Sequence, residues 1–263
     1  MRARHWGLRK VPEITAYFWI LKVLTTAMGE ATADYSVHAI DPYAAVLLGA
    51  VVFAAVIALQ LWVSHYIAWV YWLAVVMVAV FGTMVADALH IQLGIPYSVT
   101  SVGFAITLTL IFVAWYTSER TLSIHTITSP RREIFYWATV CATFALGTAT
   151  GDLTAYTFHL GFLASGILFA VVIAVPGIAY RLVHLNAVFA FWFAYVITRP
   201  LGASFADFMG VPHSLGGLNW GRGTVALLLT LPIVVLVAYL SASRIDVEEG
   251  RSHQPAGEAA LTG

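Results

Sequence analysis

Long apolar stretches alternate with short polar connections along almost the whole chain. A membrane-spanning helix needs about 20 consecutive, mostly apolar residues. Eight stretches are long enough, and they cover residues 13–36, 43–63, 66–90, 97–117, 133–158, 160–180, 184–209 and 223–241. Because uninterrupted apolar stretches of this length are typical of transmembrane helices, the pattern predicts an all-α polytopic membrane protein with about eight transmembrane helices.

The composition supports a membrane location and argues against several other classes of protein. Hydrophobic residues make up 60% of the chain and charged residues only 10%, whereas a soluble domain has roughly 25% charged residues. The formal net charge is zero, so no nucleic-acid partner is expected. Cys141 is the single cysteine, which leaves no intramolecular disulfide within this chain.

One short pattern, Gly-x-x-x-small-Asp, recurs in the second half of every odd-numbered span. The four copies begin at Gly29, Gly82, Gly147 and Gly202 and end at Asp34, Asp87, Asp152 and Asp207. A tryptophan precedes each glycine by ten residues, at Trp19, Trp72, Trp137 and Trp192. Self-similarity in fixed phase indicates a repeat architecture, so the chain is predicted to have internal pseudosymmetry.

The repeats predict how the chain is organised. Each span with a motif is followed by a short connection and a plainer span, so the repeat unit is a helix hairpin. The predicted hairpins cover about 13–65, 66–118, 133–181 and 183–241. We expect a cytoplasmic N-terminal segment (1–12), a single transmembrane domain (13–245) and a disordered cytoplasmic tail (246–263).

Basic residues lie almost entirely on one side of the predicted spans. Of the 13 Lys and Arg residues, Arg222 falls on one side and Lys22 and Arg199 fall within spans. The others share the side of both termini: Arg2, Arg4, Arg9, Lys10, Arg120, Arg131, Arg132, Arg181, Arg244 and Arg251. Cytoplasmic loops carry an excess of Lys and Arg. Both termini are therefore predicted to be cytoplasmic, with the four Asp residues in the outer half of the membrane.

The arrangement of the repeats resembles a bacterial integral-membrane family defined by four tandem repeats, each with two membrane spans and a characteristic tryptophan. The tryptophans and their Gly-x-x-x-small-Asp motifs carry the resemblance, which covers about residues 11–241. The family is described as repeats of unknown function. The resemblance therefore implies the architecture and a multi-pass location in the bacterial inner (plasma) membrane, and it implies almost no chemistry.

The glycines and the small residues four positions later are expected to serve helix packing. Small residues at this spacing form a flat face on which transmembrane helices approach closely. The packing face of each motif contains Gly29, Gly82, Gly147 or Gly202. This role needs no further function, but it does not account for the aspartates.

Acidic side chains inside a membrane are functional candidates by default. If the odd spans converge, the carboxylates of Asp34, Asp87, Asp152 and Asp207 meet near one axis, with Glu30 one helical turn before Asp34. Carboxylates are hard oxygen ligands suited to Mg²⁺, Ca²⁺ or Mn²⁺. The sequence therefore predicts that these acids bind a cation, with the four aspartates as metal ligands. Capping of helix ends at the outer interface is the competing interpretation.

Other polar residues near the motifs have two possible roles each. Lys22 and Arg199 are expected to tune the charge of the site, or to snorkel or form a structural ion pair. The histidines that follow the motifs are His38, His90, His159 and His213. They are interpreted as interfacial residues, as outer ligands for a transition metal, or as a pH-sensitive vestibule. The four tryptophans are expected to anchor the helices at the membrane interface or to gate the site.

These features favour a secondary transporter or exporter of a small inorganic cation, coupled to protons or to a membrane gradient. A divalent metal such as manganese is the first candidate on ligand chemistry. No catalytic motif is present, so an enzyme is not expected, and no cofactor is expected. Two alternatives stay open: a structural or sensory membrane protein without transport, and an intramembrane aspartyl enzyme. Lipid, the cation and protons are the expected partners.

Overall fold

A computed structural model describes residues 9–183 and 185–247, and within them the chain forms eight long α-helices. The helices are α1 Ala16–Ala39, α2 Pro42–Trp62, α3 Ala68–Asp87, α4 Tyr97–Glu119, α5 Pro130–Asp152, α6 Gly161–Val183, α7 Ala187–Gly210 and α8 Arg222–Ser243. All eight predicted spans are confirmed as helices, with ends that differ by a few residues. Most of the predicted N-terminal segment and C-terminal tail lies outside the described residues.

Local capping explains where two of the helices begin. Asp41 accepts a hydrogen bond from the backbone N–H of Ala44 at 3.0 Å and precedes Pro42, the first residue of α2. Ser129 caps α5 in the same way, before a proline at the first helical position. Polar side chains satisfy the free N–H groups of a first turn, and proline has no N–H to leave unpaired.

Seven helices in the described segments are long and apolar enough to cross a bilayer, and α1 is the exception. With 24 residues α1 has the necessary length, but it carries Lys22, Glu30 and Asp34. Lys22 and Glu30 are buried in protein, at 1% and 3% exposure. Because these two side chains are shielded from the surroundings of the bundle, α1 is compatible with a membrane span despite its polarity.

The odd-numbered helices form an inner ring. In this ring α1 packs against α3 and α7, and α5 packs against the same two helices. The even-numbered helices lie outside it, and most of their residues remain exposed at the surface of the bundle. Since those exposed residues are mainly apolar, the outer helices present the surface expected to contact lipid.

The helices of one sequence hairpin are not the main packing partners of each other. Instead, α2 packs on α3, α4 on α5, α6 on α7, and α8 returns to α1. Each even-numbered helix therefore packs on the odd-numbered helix of the next repeat around the ring. The hairpin is the repeating unit of the sequence, but its two helices are not each other's main packing partners, because the bundle is held together by contacts between repeats.

The four motif glycines lie at the four contacts that close the ring. A methyl group added at Gly29 would lie 2.3 Å from the Ala79 Cβ atom, and one at Gly82 would lie 3.0 Å from the Phe144 Cβ atom. A methyl group at Gly147 would lie 2.3 Å from Cγ of Arg199. The ring closes at Gly202, where an added methyl group would lie 2.0 Å from Oγ1 of Thr26. Each glycine thus allows its helix to touch the next one in the ring.

The described ends of the chain meet on one side of the bundle. The buried ammonium of Lys10 forms an ion pair with Glu133, which also accepts a hydrogen bond from Gln60 at 3.1 Å. The Glu13 N–H donates to the backbone carbonyl of Asp246 at 2.9 Å. These contacts place both ends of the described chain beside the start of α5. We call this side the terminal side and the side of the motif aspartates the motif side.

Candidate functional site: a charged layer inside the helix ring

In three of the four repeats, the residue that follows the motif glycine contacts the same guanidinium inside the ring. The residues that follow the four glycines are Glu30, Thr83, Thr148 and Ala203. The guanidinium of Arg199 reaches the first three: its Nη2 atom forms an ion pair with Glu30 and donates hydrogen bonds to the hydroxyls of Thr83 and Thr148. The Nη2–Oγ1 distance to Thr148 is 2.7 Å. One cation from the fourth repeat therefore binds polar groups from the other three.

The packing of the ring explains why Arg199 fits there. Arg199 precedes Gly202 by three residues, and its methylene groups pack directly against Gly147. Its Nη1 atom donates to the backbone carbonyl of Thr26 at 3.2 Å, and the side chain is fully buried. A buried charge is stable only when it is paired and hydrogen-bonded, and Glu30 with the two hydroxyls meets that need. We call Glu30, Thr83, Thr148 and Arg199 the charged layer.

Lys22 is a second buried basic residue, and it lies on the terminal side of this layer. Its ammonium nitrogen lies 3.8 Å from the ring centre of Phe144 and 3.9 Å from that of Tyr195. Aromatic faces attract a cation at such distances. In the described part of the chain Nζ has no hydrogen-bond partner. Lys22 therefore does not share the carboxylate of Glu30 with Arg199, although a role in tuning the site charge stays a prediction.

Three of the four motif aspartates have no ion-pair partner among residues 9–183 and 185–247. Asp152 and Asp207 are buried, and Asp87 is half-buried. Their carboxyl groups are close enough to interact electrostatically with one another, with Glu30 and with Asp34. The motif side of the ring therefore carries an excess of acidic groups.

Asp34 is the exception, and its partner was missed in the sequence. Its Oδ2 atom accepts a hydrogen bond from Nε of Arg222 at 2.7 Å, within an ion pair that joins α1 to α8. Arg222 was interpreted only as the single basic residue of the outer side. No signal in the sequence identified this pair, because Arg222 and Asp34 lie 188 residues apart.

The structure separates two groups that were expected to act together. Glu30 was paired in the sequence with Asp34, four residues later, but it contacts Arg199 instead, together with Thr83 and Thr148. In the described segments no three His, Cys, Asp or Glu side chains are arranged to hold a metal ion. The assignment of the four aspartates as metal ligands has no support from this geometry and stays a prediction.

Two of the aspartates directly precede a π-helical turn. Residues Ala88–Gln92 follow Asp87, and residues Leu153–Thr157 follow Asp152. Turns of this kind are rare and often occur at functional sites. In the other two repeats α1 and α7 continue as regular α-helix past the aspartate. The second and third repeats thus share a local geometry on the motif side that the first and fourth lack.

The histidines mainly hold local backbone on the motif side. The Nδ1 atoms of His38, His90 and His213 lie 2.6, 2.8 and 2.8 Å from the backbone carbonyls of Asp34, Ile95 and Gly217. A carbonyl only accepts, so each Nδ1 donates its proton. His159 is exposed and has a left-handed backbone conformation, with φ 54°. A ligand role for this set stays a prediction.

Three of the four repeat tryptophans are buried inside the bundle. Trp72, Trp137 and Trp192 are buried, and Trp19 is half-buried. Each packs edge to face against the aromatic residue before it, with ring centres 5.2 or 5.3 Å apart. The preceding residues are Phe18, Tyr71, Tyr136 and Phe191. We call these eight residues the aromatic layer. It lies on the terminal side of Lys22. The burial of three tryptophans favours packing inside the ring over anchoring, and both the anchor and the gate interpretations stay predictions.

The fold and the charged layer define a four-repeat, polytopic helical membrane protein with a polar centre. The model of a protein family matches the chain four times, at residues 17–66, 70–121, 135–184 and 190–246. This family is described as Repeat of Unknown Function (DUF347). The chain belongs to this family, as its repeats and tryptophans predicted. No curated protein and no solved structure matches the chain.

Proposed function

We propose that the protein is a secondary transporter of a cation, in which the acids on the motif side bind the cation or the protons exchanged for it. The supporting observation is the charge balance: Asp87, Asp152 and Asp207 interact with one another without an ion-pair partner in the described segments. Several buried carboxylates in mutual range repel one another unless a cation or protons neutralise them. A cation with access to the ring supplies that neutralisation.

Arg199 gives the proposed site an internal competitor for the cation. It holds the carboxylate of Glu30 and the two threonine hydroxyls, which are oxygen groups that suit a hard cation. When Arg199 binds them, the charged layer is occupied by a tethered positive charge. The aromatic layer lies on the terminal side of the charged layer. Together the two layers close the ring towards the terminal side. It corresponds to one end state of an alternating-access cycle.

The identity of the cation is a further proposal. Manganese remains the first candidate, because carboxylate ligands with nearby histidines suit that ion. The proposal includes no catalytic step. The alternative functions are those of an intramembrane aspartyl enzyme and of a sensor.

Purified protein should be stabilised by its cation, and the same cation should cross a vesicle membrane without ATP. A ligand at 100 times its dissociation constant adds about 2.7 kcal/mol to a reversible fold, so a thermal-shift panel of Mg²⁺, Ca²⁺, Mn²⁺, Zn²⁺, Na⁺ and K⁺ identifies it. Stabilisation should weaken as pH falls, since ligating carboxylates must be deprotonated. Asp152→Asn and Asp207→Asn should abolish both effects.

Asp41→Asn is the matched control for these variants. Asp41 is an exposed acid that caps α2, and asparagine caps equally well. This variant should keep the stabilisation and the flux of the parent protein. If none of the six ions stabilises the protein or crosses the membrane, cation transport is excluded for this panel and the sensory or structural alternative replaces it.

We also propose that the terminal side faces the cytoplasm. The basic residues predict this orientation, and the structure brings both described ends together on one side. A reporter that is active only outside the cytoplasm should be silent when fused after the last residue. The same reporter inserted in the loop between α7 and α8 should be active. The reverse pattern would place the acids on the cytoplasmic side.

A further inference from the structure

A series of tyrosine hydroxyls runs from the terminal side of the bundle towards Lys22. The residues are Tyr66, just before α3, Tyr71 on α3, Tyr136 on α5 and Tyr195 on α7. Tyr71, Tyr136 and Tyr195 are fully buried. Buried tyrosine hydroxyls usually have a hydrogen-bond partner, and in a bilayer core the cost of an unpaired one is high. We call these four residues the tyrosine path.

The first contact of the tyrosine path lies at the wall of a cavity on the terminal side, where Asp246 is 2% exposed. Tyr66 donates a hydrogen bond to the carboxylate of Asp246. Both line a cavity of about 420 Å³ that also includes His65 and Arg244. Burial raises the pKa of the Asp246 carboxyl above its ordinary value. Burial, followed by the hydrogen bond to Asp246, raises the pKa of the Tyr66 hydroxyl. Tyr66 therefore stays a neutral donor, and the Asp246 carboxyl keeps its proton to a higher pH than an ordinary aspartate.

The next contacts continue inward. The Tyr66 and Tyr71 rings lie edge to face, with centres 5.6 Å apart, and the hydroxyls of Tyr71 and Tyr136 are hydrogen-bonded to each other. The Tyr195 hydroxyl is near enough to that of Tyr136 for electrostatic interaction. No described residue forms a hydrogen bond of normal geometry with it. A small rotation of one side chain, or one bridging water, joins the two hydroxyls.

The inner end of the tyrosine path is Lys22. Its ammonium nitrogen lies 3.9 Å from the centre of the Tyr195 ring and has no hydrogen-bond acceptor in the described part of the chain. The other charged or titratable groups that face this region are Arg199 on α7 and Cys141 on α5. Arg199 is already held by Glu30. Lys22 is therefore the buried basic group without a hydrogen-bond partner at the end of the tyrosine path.

We propose that the tyrosine path conducts protons between Asp246 and the amine of Lys22. Each hydroxyl oxygen accepts a proton from one neighbour and releases its own proton to the next. The described residues form no direct hydrogen bond between Tyr66 and Tyr71, between Tyr136 and Tyr195 or between Tyr195 and Lys22. A bridging water at each of these three places completes the path. Every hydroxyl is neutral again after a transfer, and only the carboxyl and the amine change charge. A charged Lys22 repels Arg199 and a neutral one does not, so proton arrival at Lys22 weakens the hold of the charged layer. This inference rests on the proposed transport function and gives it a route for the coupled proton.

Proton movement through vesicles that contain the protein tests the path without knowledge of the cation. An internal pH dye reports the response to an external acid step, with the membrane potential clamped by valinomycin and K⁺, alone and with each cation of the panel. The parent protein should pass protons faster than protein-free vesicles. Tyr136→Phe and Tyr195→Phe keep the ring and remove the hydroxyl, and each should lower the rate by about tenfold or more.

Two further variants make the result decisive. Tyr116→Phe changes an exposed tyrosine of α4 and should leave proton movement unchanged. Tyr66→Phe alters the outer end of the path, where the side chain is half-buried at the edge of the core and the ring is kept. This variant is therefore expected to fold even if a fully buried variant does not. Monodispersity and circular dichroism confirm the fold of each variant. Loss of proton movement in Tyr66→Phe, with Tyr116→Phe normal, supports the path.

Two results would overturn the path: proton movement in the parent protein equal to that of protein-free vesicles under every condition, or undiminished movement in folded Tyr66→Phe and Tyr136→Phe. The proposed function fails separately. If protons pass and the tyrosine variants stop them, but no cation of the panel crosses, the path is supported and the cation assignment is wrong. If a cation crosses with equal rates in the parent and the tyrosine variants, transport stands and the path is rejected.

Discussion

Arg199→Met should lower the free energy of unfolding by about 3–5 kcal/mol, because it leaves the buried carboxylate of Glu30 without its cation. It also removes the donor shared by the hydroxyls of Thr83 and Thr148. A reversible unfolding assay in detergent micelles measures the change, and folded yield gives a second reading.

The double variant Glu30→Gln, Arg199→Met completes a double-mutant cycle. The cycle shows how much of the lost stability comes from the unpaired carboxylate of Glu30. Removing both partners leaves no unpaired charge, so the double variant should recover a large part of the stability. Lys22→Met is the matched control: it removes another fully buried basic side chain of the ring, one without a hydrogen-bond partner in the described segments. Lys22→Met should leave the free energy of unfolding nearly unchanged. If Lys22→Met and Arg199→Met are equally destabilising, the charged layer is not what holds this part of the ring together.

Gly202→Ala should reduce the yield of folded protein sharply, because its methyl group collides where the ring closes between α7 and α1. The added carbon would lie 2.0 Å from Oγ1 of Thr26 and 2.9 Å from the backbone nitrogen of Ala27. Overpacking of this kind typically costs about 1–3 kcal/mol and occasionally more. A backbone atom cannot move aside as a flexible side chain does, so we expect the upper end of that range. Gly29→Ala should behave similarly.

Gly103→Ala is the control for this pair. Gly103 lies in α4, and a methyl group added there meets nothing within 4 Å in the described structure. Alanine favours a helix over glycine by about 1 kcal/mol, so this variant should be neutral or slightly stabilising. Folded yield and melting temperature measure all three variants. Equal yields for Gly202→Ala and Gly103→Ala would show that close helix contact at the motif is not required.

Several features were predictable because they depend on residues close together in the chain. Apolar stretches long enough to span a bilayer define the helices wherever they pack, and Asp41–Pro42 or Ser129–Pro130 define where two of them begin. The recurrence of a glycine and an aspartate in fixed phase revealed four repeats. Gly29 and its three equivalents were expected at helix contacts. A glycine lets a neighbouring helix approach closely, whichever helix that neighbour is.

The partners of the charged residues were decided only by the tertiary structure. Arg199 meets Glu30 from 169 residues away, and Arg222 meets Asp34 from 188 residues away. No local pattern selects these pairs, because several acids lie at similar depth and any of them suits a buried arginine. The choice follows from which helices are neighbours in the ring and from the space that Gly147 leaves for the Arg199 side chain.

The chain by itself thus determined the membrane class, the eight helices, the four repeats and the small faces that draw the odd helices together. The closure of the ring decided what those helices enclose. It turned the tryptophans inward, because each is surrounded by aromatic residues of neighbouring repeats, such as Tyr71 beside Trp137. It also separated Glu30 from Asp34, since one helical turn along α1 is enough to place one acid against Arg199 and the other against Arg222.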